Sequence, residues 1–320
     1  MIRYSDRATQ RQSGYSMVEL LIAVALGIIL SWAILDVTLN SSRISRELEL
    51  SSEMVENGRY LTKLLSGELQ LAGFYGRLEN YSSGATAQPN QCTDLNTADL
   101  INGMTFPLWG ADNVTAGATA CNGDVLLTGS DILLIRRVDT TSVNSTAGLR
   151  ANQHYLQETV TASVLDTGAN SANFTLLEKD DTTVAAIREY HQDIYYVDDD
   201  NVFNRLSLIN GAYSPEPLVE GVDDFQVVYG IDRSGDGIAN AEGGNPAFVE
   251  IPASAAEWED VVSVKIFLLL SSTHNAPGLN DSKTYSYADK AGITFSDSKK
   301  RRLFSSVARL TNVSIKRTGL

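Results

Sequence analysis

The chain has 320 residues, of which 43% are hydrophobic, so it can bury a core and is not dominated by disorder. Its 39 acidic side chains outnumber 25 basic ones and give a formal net charge of −14 at pH 7. This balance argues against a protein that binds nucleic acid directly, because neutralising phosphates requires a basic surface.

The N-terminal region predicts one membrane-spanning helix. Residues 15–35 are mostly apolar, and a helix of that length spans about 30 Å, the thickness of a bilayer core. Arg3, Arg7 and Arg11 precede it, so the positive-inside rule keeps the N-terminus cytoplasmic and sends the rest of the chain outward. Glu19 stands out because a carboxylate in hydrocarbon costs roughly 2.5–3.5 kcal/mol.

The sequence around Gly14 resembles the leader of type IV prepilins. A short basic segment ends in Gly14, the aromatic residue Tyr15 follows, and Glu19 is the fifth residue after the glycine. The resemblance implies that a prepilin peptidase cleaves after Gly14 and methylates the new amine of Tyr15. It also implies that Glu19 pairs with the N-terminal amine of a neighbouring subunit. The alternative is an ordinary single-pass anchor whose glutamate has no such role.

The helix is expected to continue past the membrane. Residues 41–74 contain no proline, and Gly73 is expected to stop the helix. Gly58 and Gly67 each lower helix propensity by about 1 kcal/mol, so they indicate close packing or a bend. Five apolar residues lie near one face at helical spacing and predict packing on a globular domain: Leu50, Met54, Leu61, Leu65 and Leu69.

The rest of the chain predicts antiparallel sheet. Short β-type runs separated by Gly, Asn, Asp and Ser follow Gly73, so the fold class is α+β: one long N-terminal helix, then sheet. The clearest strands are residues 131–138, 193–197, 225–231, 261–272 and 305–315, and residues 80–124 and 139–170 are expected to be long loops or insertions. The expected divisions are a leader at 1–14, a transmembrane segment at 15–35, a periplasmic half-helix at 36–73 and a globular domain at 74–320.

Five blocks together resemble the PilW family of minor type IV pilins. They lie in the family's order, and they are residues 56–76, 130–140, 219–237, 258–272 and 301–313. The resemblance implies a pilin-like fold and a structural, non-enzymatic minor pilin that helps to prime pilus polymerisation. The implied partners are other minor pilins, the major pilin and a pilus-tip adhesin, in support of twitching motility, adhesion or DNA uptake.

The resemblance also implies a location. The chain would sit in the inner membrane with a periplasmic domain before assembly, and at the pilus tip or cell surface afterwards. A minor pseudopilin of a type II secretion system is the alternative, although the length of the chain and the block at 56–76 favour the pilus.

The two cysteines, Cys92 and Cys121, lie in loop-like sequence of a chain that crosses a membrane. In an oxidising compartment such a pair most simply forms one disulfide. A metal site built on them would need further ligands, and no histidine lies within 30 residues of either cysteine.

One acidic loop offers oxygen ligands for calcium. Residues 232–242 read D-x-S-x-D-G-x-x-N, similar to the first nine positions of an EF-hand loop, although Gly243 stands where a bidentate glutamate is needed. A helix-free calcium loop is one hypothesis, and an Asp/Gly-rich hairpin turn is the other. The candidate ligands are the side chains of Asp232, Ser234, Asp236 and Asn240 and the carbonyl of Ile238.

Nothing in the sequence indicates an enzyme. His154, His191 and His274 are isolated, and the chain has no H-E-x-x-H, G-x-S-x-G or Walker motif. Basic residues gather instead between Lys299 and Arg317. They could meet an acidic partner or the chain's own acidic loops, but a solvated, charge-protected strand edge is the favoured interpretation.

Overall fold

A computed structural model describes residues 14–79, 81, 84–276 and 279–318. The chain divides into two units, of which the first ends at Leu50 and the second begins at Ser51. Helix α1, Met17–Leu71, contributes residues to both units. The predicted divisions at residues 14, 35 and 73 are not tested by this partition and stay predictions.

In the first unit, α1 exposes apolar side chains all around its circumference. The large apolar residues from Met17 to Leu39 are each more than half exposed, as in Val24 at 54% and Trp32 at 72%. An 18-residue window of the helix has a mean hydropathy of 2.5. The helix is therefore long and apolar enough to cross a membrane.

In the second unit, α1 buries one face. Met54, Leu61, Leu65 and Leu69 are at most 6% exposed and belong to the main hydrophobic core. The predicted apolar stripe is therefore confirmed for these residues. The helix ends at Leu71, and Gly73 adopts φ +70° with its N–H donating to the Arg136 carbonyl at 3.0 Å. Glycine reaches this left-handed conformation without a Cβ penalty, which explains the stop.

The larger sheet has seven strands. They are β1 Leu108–Ala111, β2 Ile132–Val138, β3 His154–Glu158, β4 Ser163–Thr167, β5 Ala186–Val197, β6 Val202–Ile209 and β7 Ala212–Glu220. Strand β5 is the centre of the sheet and pairs antiparallel with β2, β3 and β6, while β1, β4 and β7 each extend the sheet from one of these.

The second sheet has four strands, which are β8 Val222–Ile231, β9 Phe248–Val249, β10 Val261–Ser271 and β13 Arg301–Arg309. Their antiparallel order is β13-β10-β8-β9, and a separate hairpin joins β11 Thr284–Tyr287 to β12 Lys290–Thr294. Alternate residues of β10 are buried in the core that holds the α1 leucines, since side chains alternate between the faces of a strand. These residues are Val264, Ile266, Leu268 and Leu270.

The α+β class is confirmed, but two local expectations are wrong. The regions expected to be loops contain α2 Thr97–Met104, β1, β3 and β4. The strand predicted over residues 305–315 stops at Arg309, and α4 Thr311–Arg317 follows. A further short helix, α3 Ala255–Glu259, leads into β10.

Helix α4 forms because of tertiary contacts. Val313 is buried in the main core, and the Asn312 side chain donates to the carbonyls of Gln70 and Ala72 at 3.1 and 3.3 Å. Carbonyls at a helix end lack intrahelical partners, so Asn312 satisfies part of the C-terminus of α1.

Candidate functional site

The residues of the predicted processing site lie at the start of α1. Gly14 to Ser16 are not helical, and the helix begins at Met17. The Ser16 hydroxyl accepts from the Val18 N–H at 3.3 Å, which satisfies one of the free donors of the first turn. The rest of the predicted leader, residues 1–13, lies outside the described part of the chain.

Glu19 lies in the first helical turn and is exposed. A carboxylate there is stabilised by the positive end of the helix dipole, by roughly 0.3–1 kcal/mol. The apolar side chains that follow it are also exposed. Residues 17–35 of α1 therefore carry one negative charge, near the N-terminal end of an otherwise apolar stretch of helix.

The second candidate site is the loop that begins at Asp232. The side chain of Asp232 is fully buried, and its Oδ1 accepts from the N–H groups of Gly235 and Asp236 at 2.8 and 3.2 Å. Its Oδ2 accepts from the Gly237 N–H at 2.9 Å. Asn240 Oδ1 accepts from the N–H groups of Arg233 and Ser234 at 2.8 and 3.2 Å. Asp232 and Asn240 thus direct their oxygens at the loop's own backbone.

Arg317 of α4 is the ion-pair partner of the buried Asp232 carboxylate. Its Nε donates to Asp232 Oδ2 at 2.7 Å and one Nη donates to the Asp232 carbonyl at 2.9 Å. Its other Nη pairs with Asp260. Burial alone would raise the pKa of Asp232, but the hydrogen bonds from Arg317 and the loop backbone lower it below its ordinary value. Asp232 is therefore held as a carboxylate.

A buried serine completes what we call the C-terminal cluster: Asp232, Asp260, Ser314 and Arg317. The Ser314 hydroxyl donates to the Gly237 carbonyl at 2.6 Å. Gly237 has φ +79°, and a Cβ there would lie 2.7 Å from the Ser314 carbonyl oxygen, so only glycine fits. The cluster joins the acidic loop to α4, and Asn312 of α4 reaches the end of α1.

The calcium hypothesis stays a prediction. Of the five proposed ligand residues, Ser234, Asp236 and Ile238 are exposed on the loop, whereas Asp232 is occupied by N–H groups and Arg317. Within the described residues there is no group of three or more His, Cys, Asp or Glu side chains placed to hold a metal ion. Calcium would have to bind in place of Arg317.

A second buried arginine corrects the interpretation of the basic region. Arg301, the first residue of β13, has a side chain only 3% exposed and pairs with Asp223 and Asp297 at 2.6 Å and with Asp281 at 3.4 Å. Its hydrogen bond lowers the pKa of Asp297 to about 2. The favoured solvated edge is therefore wrong for Arg301 and Arg317, which meet the chain's own acidic side chains. The sequence allowed this alternative but did not identify the partners.

The predicted disulfide is confirmed. Cys92 and Cys121 are joined with their Cα atoms 5.0 Å apart and 29 residues of separation. Cys121 packs against the core cluster that contains Leu126, Ile194 and Tyr196. Closing a loop of this length stabilises a fold by about 3–4 kcal/mol in the chain-entropy model.

Residues 194–312 match the family model of the type IV pilus-assembly protein W. The resemblance to PilW is thereby confirmed over β6 to β13, including the Asp232 loop and Arg301, whereas the blocks at 56–76 and 130–140 lie outside the match. A solved structure of a type IV-like pilin from Thermus thermophilus is similar at a TM-score of 0.36 and 13% identity, over 81% of this chain and 98% of that chain. No curated protein matches the chain.

Proposed function

We propose that the chain, whose residues 194–312 match the type IV pilus-assembly protein W, is a minor pilin that helps to prime pilus polymerisation. That match is the observation that carries the proposal. The exposed apolar half of α1 supports it, because a pilin subunit needs a segment that can leave a bilayer for a bundle of like helices. Because the matched family consists of pilus-assembly proteins, we expect this chain to have a structural role and not a catalytic one.

The N-terminal residues have three roles in this proposal. Gly14 is the residue after which the leader is cleaved, and Tyr15 carries the methylated amine. Glu19 is the charge that a neighbouring subunit's amine neutralises within the assembled helices. An unpaired carboxylate buried among apolar helices is costly, so the pair favours the subunit register in which the amine meets Glu19.

The proposed location changes during assembly. Before assembly the chain is held in the inner membrane by residues 15–35 with its globular domain in the periplasm. Afterwards it lies in a minor pilin complex at the pilus tip, together with other minor pilins, the major pilin and an adhesin. Twitching motility, adhesion or DNA uptake would depend on it through the pilus.

Deletion and complementation test the proposal. Deleting the gene is expected to abolish surface pili and twitching, and the parent gene is expected to restore both. A gene with Gly14→Trp is expected to fail, because the peptidase needs a small residue at the cleavage point. If protein secretion is lost while pili persist, the type II secretion pseudopilin is the correct function.

A further inference from the structure

Strand β13 has a hydrogen-bonding edge that no described strand occupies. It lies at the end of the four-stranded sheet and pairs with β10 alone. Its nine residues contain no proline. A strand of this kind presents a row of unpaired N–H and C=O groups to other chains.

The other end strands of the two larger sheets are short or blocked. Strand β7 carries Pro215 and Pro217, which lack N–H groups. Strands β1, β4 and β9 have four, five and two residues. Natural sheets use proline and short end strands to prevent edge pairing. Strand β13 has neither feature, unlike the other four end strands.

The ladder with β10 shows which groups face outward. At one end the Leu310 N–H donates to the Val262 carbonyl, and at the other the Ser272 N–H donates to the Lys300 carbonyl, both at 2.8 Å. The register between these bonds is unbroken. Since hydrogen-bonded pairs alternate along an antiparallel ladder, even-numbered residues of β13 point their backbone groups at β10. Odd-numbered residues, such as Ser305 and Val307, point theirs at the free edge.

An apolar groove opens on one face of the sheet, over β10 and next to β13. Val307 and Ile238 are each 62% exposed, and the groove of about 360 Å³ between them is also lined by Phe248 and Val262. Side chains of an added strand would project on the same face as Val307, where they could enter the groove.

The charge of the edge favours an acidic occupant. Arg302 and Arg309 are exposed near its two ends, and in the described part of the chain neither pairs with a carboxylate. Arg302 lies over the Phe304 ring, and Arg309 Nε donates to the Ser314 hydroxyl at 2.8 Å.

We propose that the edge of β13 docks an extended segment of a different protein. The segment adds to the sheet as a further strand, carries carboxylates near both ends, and places apolar side chains between them. This proposal is independent of the proposed pilus function.

Two proline variants test the geometry first. Ser305→Pro removes an outward N–H and is expected to leave the melting temperature of the full chain in detergent within a few degrees of the parent. Ser306→Pro removes an N–H from the ladder with β10 and is expected to lower it clearly. Equal losses for both would contradict the assigned direction of the backbone groups.

Photo-cross-linking in the native cells then tests the occupant. A benzophenone amino acid replaces Val307 in the full-length chain or, as a control, Val160, which is exposed but outside the four-stranded sheet. We expect the Val307 probe to label another protein within a segment rich in Asp or Glu, and Ser305→Pro to reduce that adduct at least tenfold. An adduct with a second copy, a segment without carboxylates, labelling no stronger than at Val160, or an adduct insensitive to Ser305→Pro would overturn the proposal.

Discussion

Arg317 neutralises a carboxylate that has no access to solvent. Replacing it by methionine keeps the unbranched stem of the side chain but leaves the buried Asp232 carboxylate without its ion-pair partner. Breaking one partner of a buried ion pair costs about 3–5 kcal/mol, and because Arg317 is itself 24% exposed we expect about 3 kcal/mol for Arg317→Met. Urea unfolding of the full chain in detergent measures it.

A matched control separates this loss from that of an ordinary surface arginine. Arg150 pairs with Glu189 but its side chain is 49% exposed, so Arg150→Met is expected to cost under about 1 kcal/mol. Equal effects of the two substitutions would show that the Asp232 pair contributes no more than a surface pair.

The same carboxylate predicts a dependence of stability on pH. The folded-state pKa of Asp232 is lowered, so its ionisation contributes stability above the unfolded pKa and that contribution is lost as the pH falls through the folded pKa. The free-energy difference between the parent and Asp232→Asn is expected to be constant above about pH 5 and to shrink below about pH 4. Unfolding curves at pH 7, 5, 4 and 3 measure it, and a difference that stays constant to pH 3 would contradict the prediction.

A calcium ion bound in this loop would compete with Arg317 for the oxygens of Asp232. If the loop takes calcium, Arg317→Met should increase the calcium-dependent rise in melting temperature relative to a chelator. Replacing Asp232 and Asp236 by alanine should abolish the rise. Parent and Arg317→Met proteins that both melt identically with calcium and with chelator would end the calcium hypothesis.

At the scale of elements, two glycines of α1 have opposite surroundings. A Cβ at Gly58 would overlap the ring of Phe304 on β13, whereas a Cβ at Gly67 would meet nothing within 4 Å. Gly67→Ala is therefore expected to stabilise the protein by up to about 1 kcal/mol through helix propensity. Gly58→Ala is expected to destabilise it, because the ring must move.

A double-mutant cycle checks this packing. Phe304→Ala removes the ring, so Gly58→Ala should be less harmful in that background than in the parent. Unfolding free energies of the four proteins in detergent provide the measurement. If Gly58→Ala and Gly67→Ala stabilise equally, α1 does not pack closely on β13.

Sequence patterns predicted the elements whose own residues decide their structure. Strands β2, β8 and β10 are apolar runs, and α1 has a stripe of leucines, so local periodicity was sufficient. It failed for α4, where Val313 and Ile315 favour a strand by propensity. There the helix results from Asn312 at the end of α1 and Arg317 at Asp232, contacts about 240 and 85 residues distant in sequence.

At the scale of the molecule, a substitution of Glu19 tests its proposed role in assembly. If the proposed roles are correct, we expect Glu19→Ala to leave cleavage at Gly14 largely intact, because the leader would be removed before subunits meet. Incorporation into pili is then expected to fall, since the charge proposed to set the subunit register is lost. Immunoblots of membranes report processing and immunoblots of sheared pili report incorporation. Normal recovery of Glu19→Ala in sheared pili would show that Glu19 does not set the subunit register.

The candidate sites differ in how far sequence could specify them. Gly14, Tyr15 and Glu19 lie in one short sequence pattern, and their roles stay predictions. The Asp232 loop could be found but not interpreted, because Arg317, which supplies its charge, arrives from another element. The cysteine pair was assignable only because the chain has two.

The bond from Asn312 to Gln70 joins residues 242 positions apart, so the order of synthesis matters for folding. At about 5–20 residues per second, the leucine stripe of α1 emerges roughly 12–48 s before β13 and α4 are made. Until then, Leu61, Leu65 and Leu69 lack part of the surface that covers them in the finished domain. The newborn chain therefore presents an open apolar stripe that follows its apolar N-terminal segment in sequence, which is the kind of surface that a holding chaperone recognises.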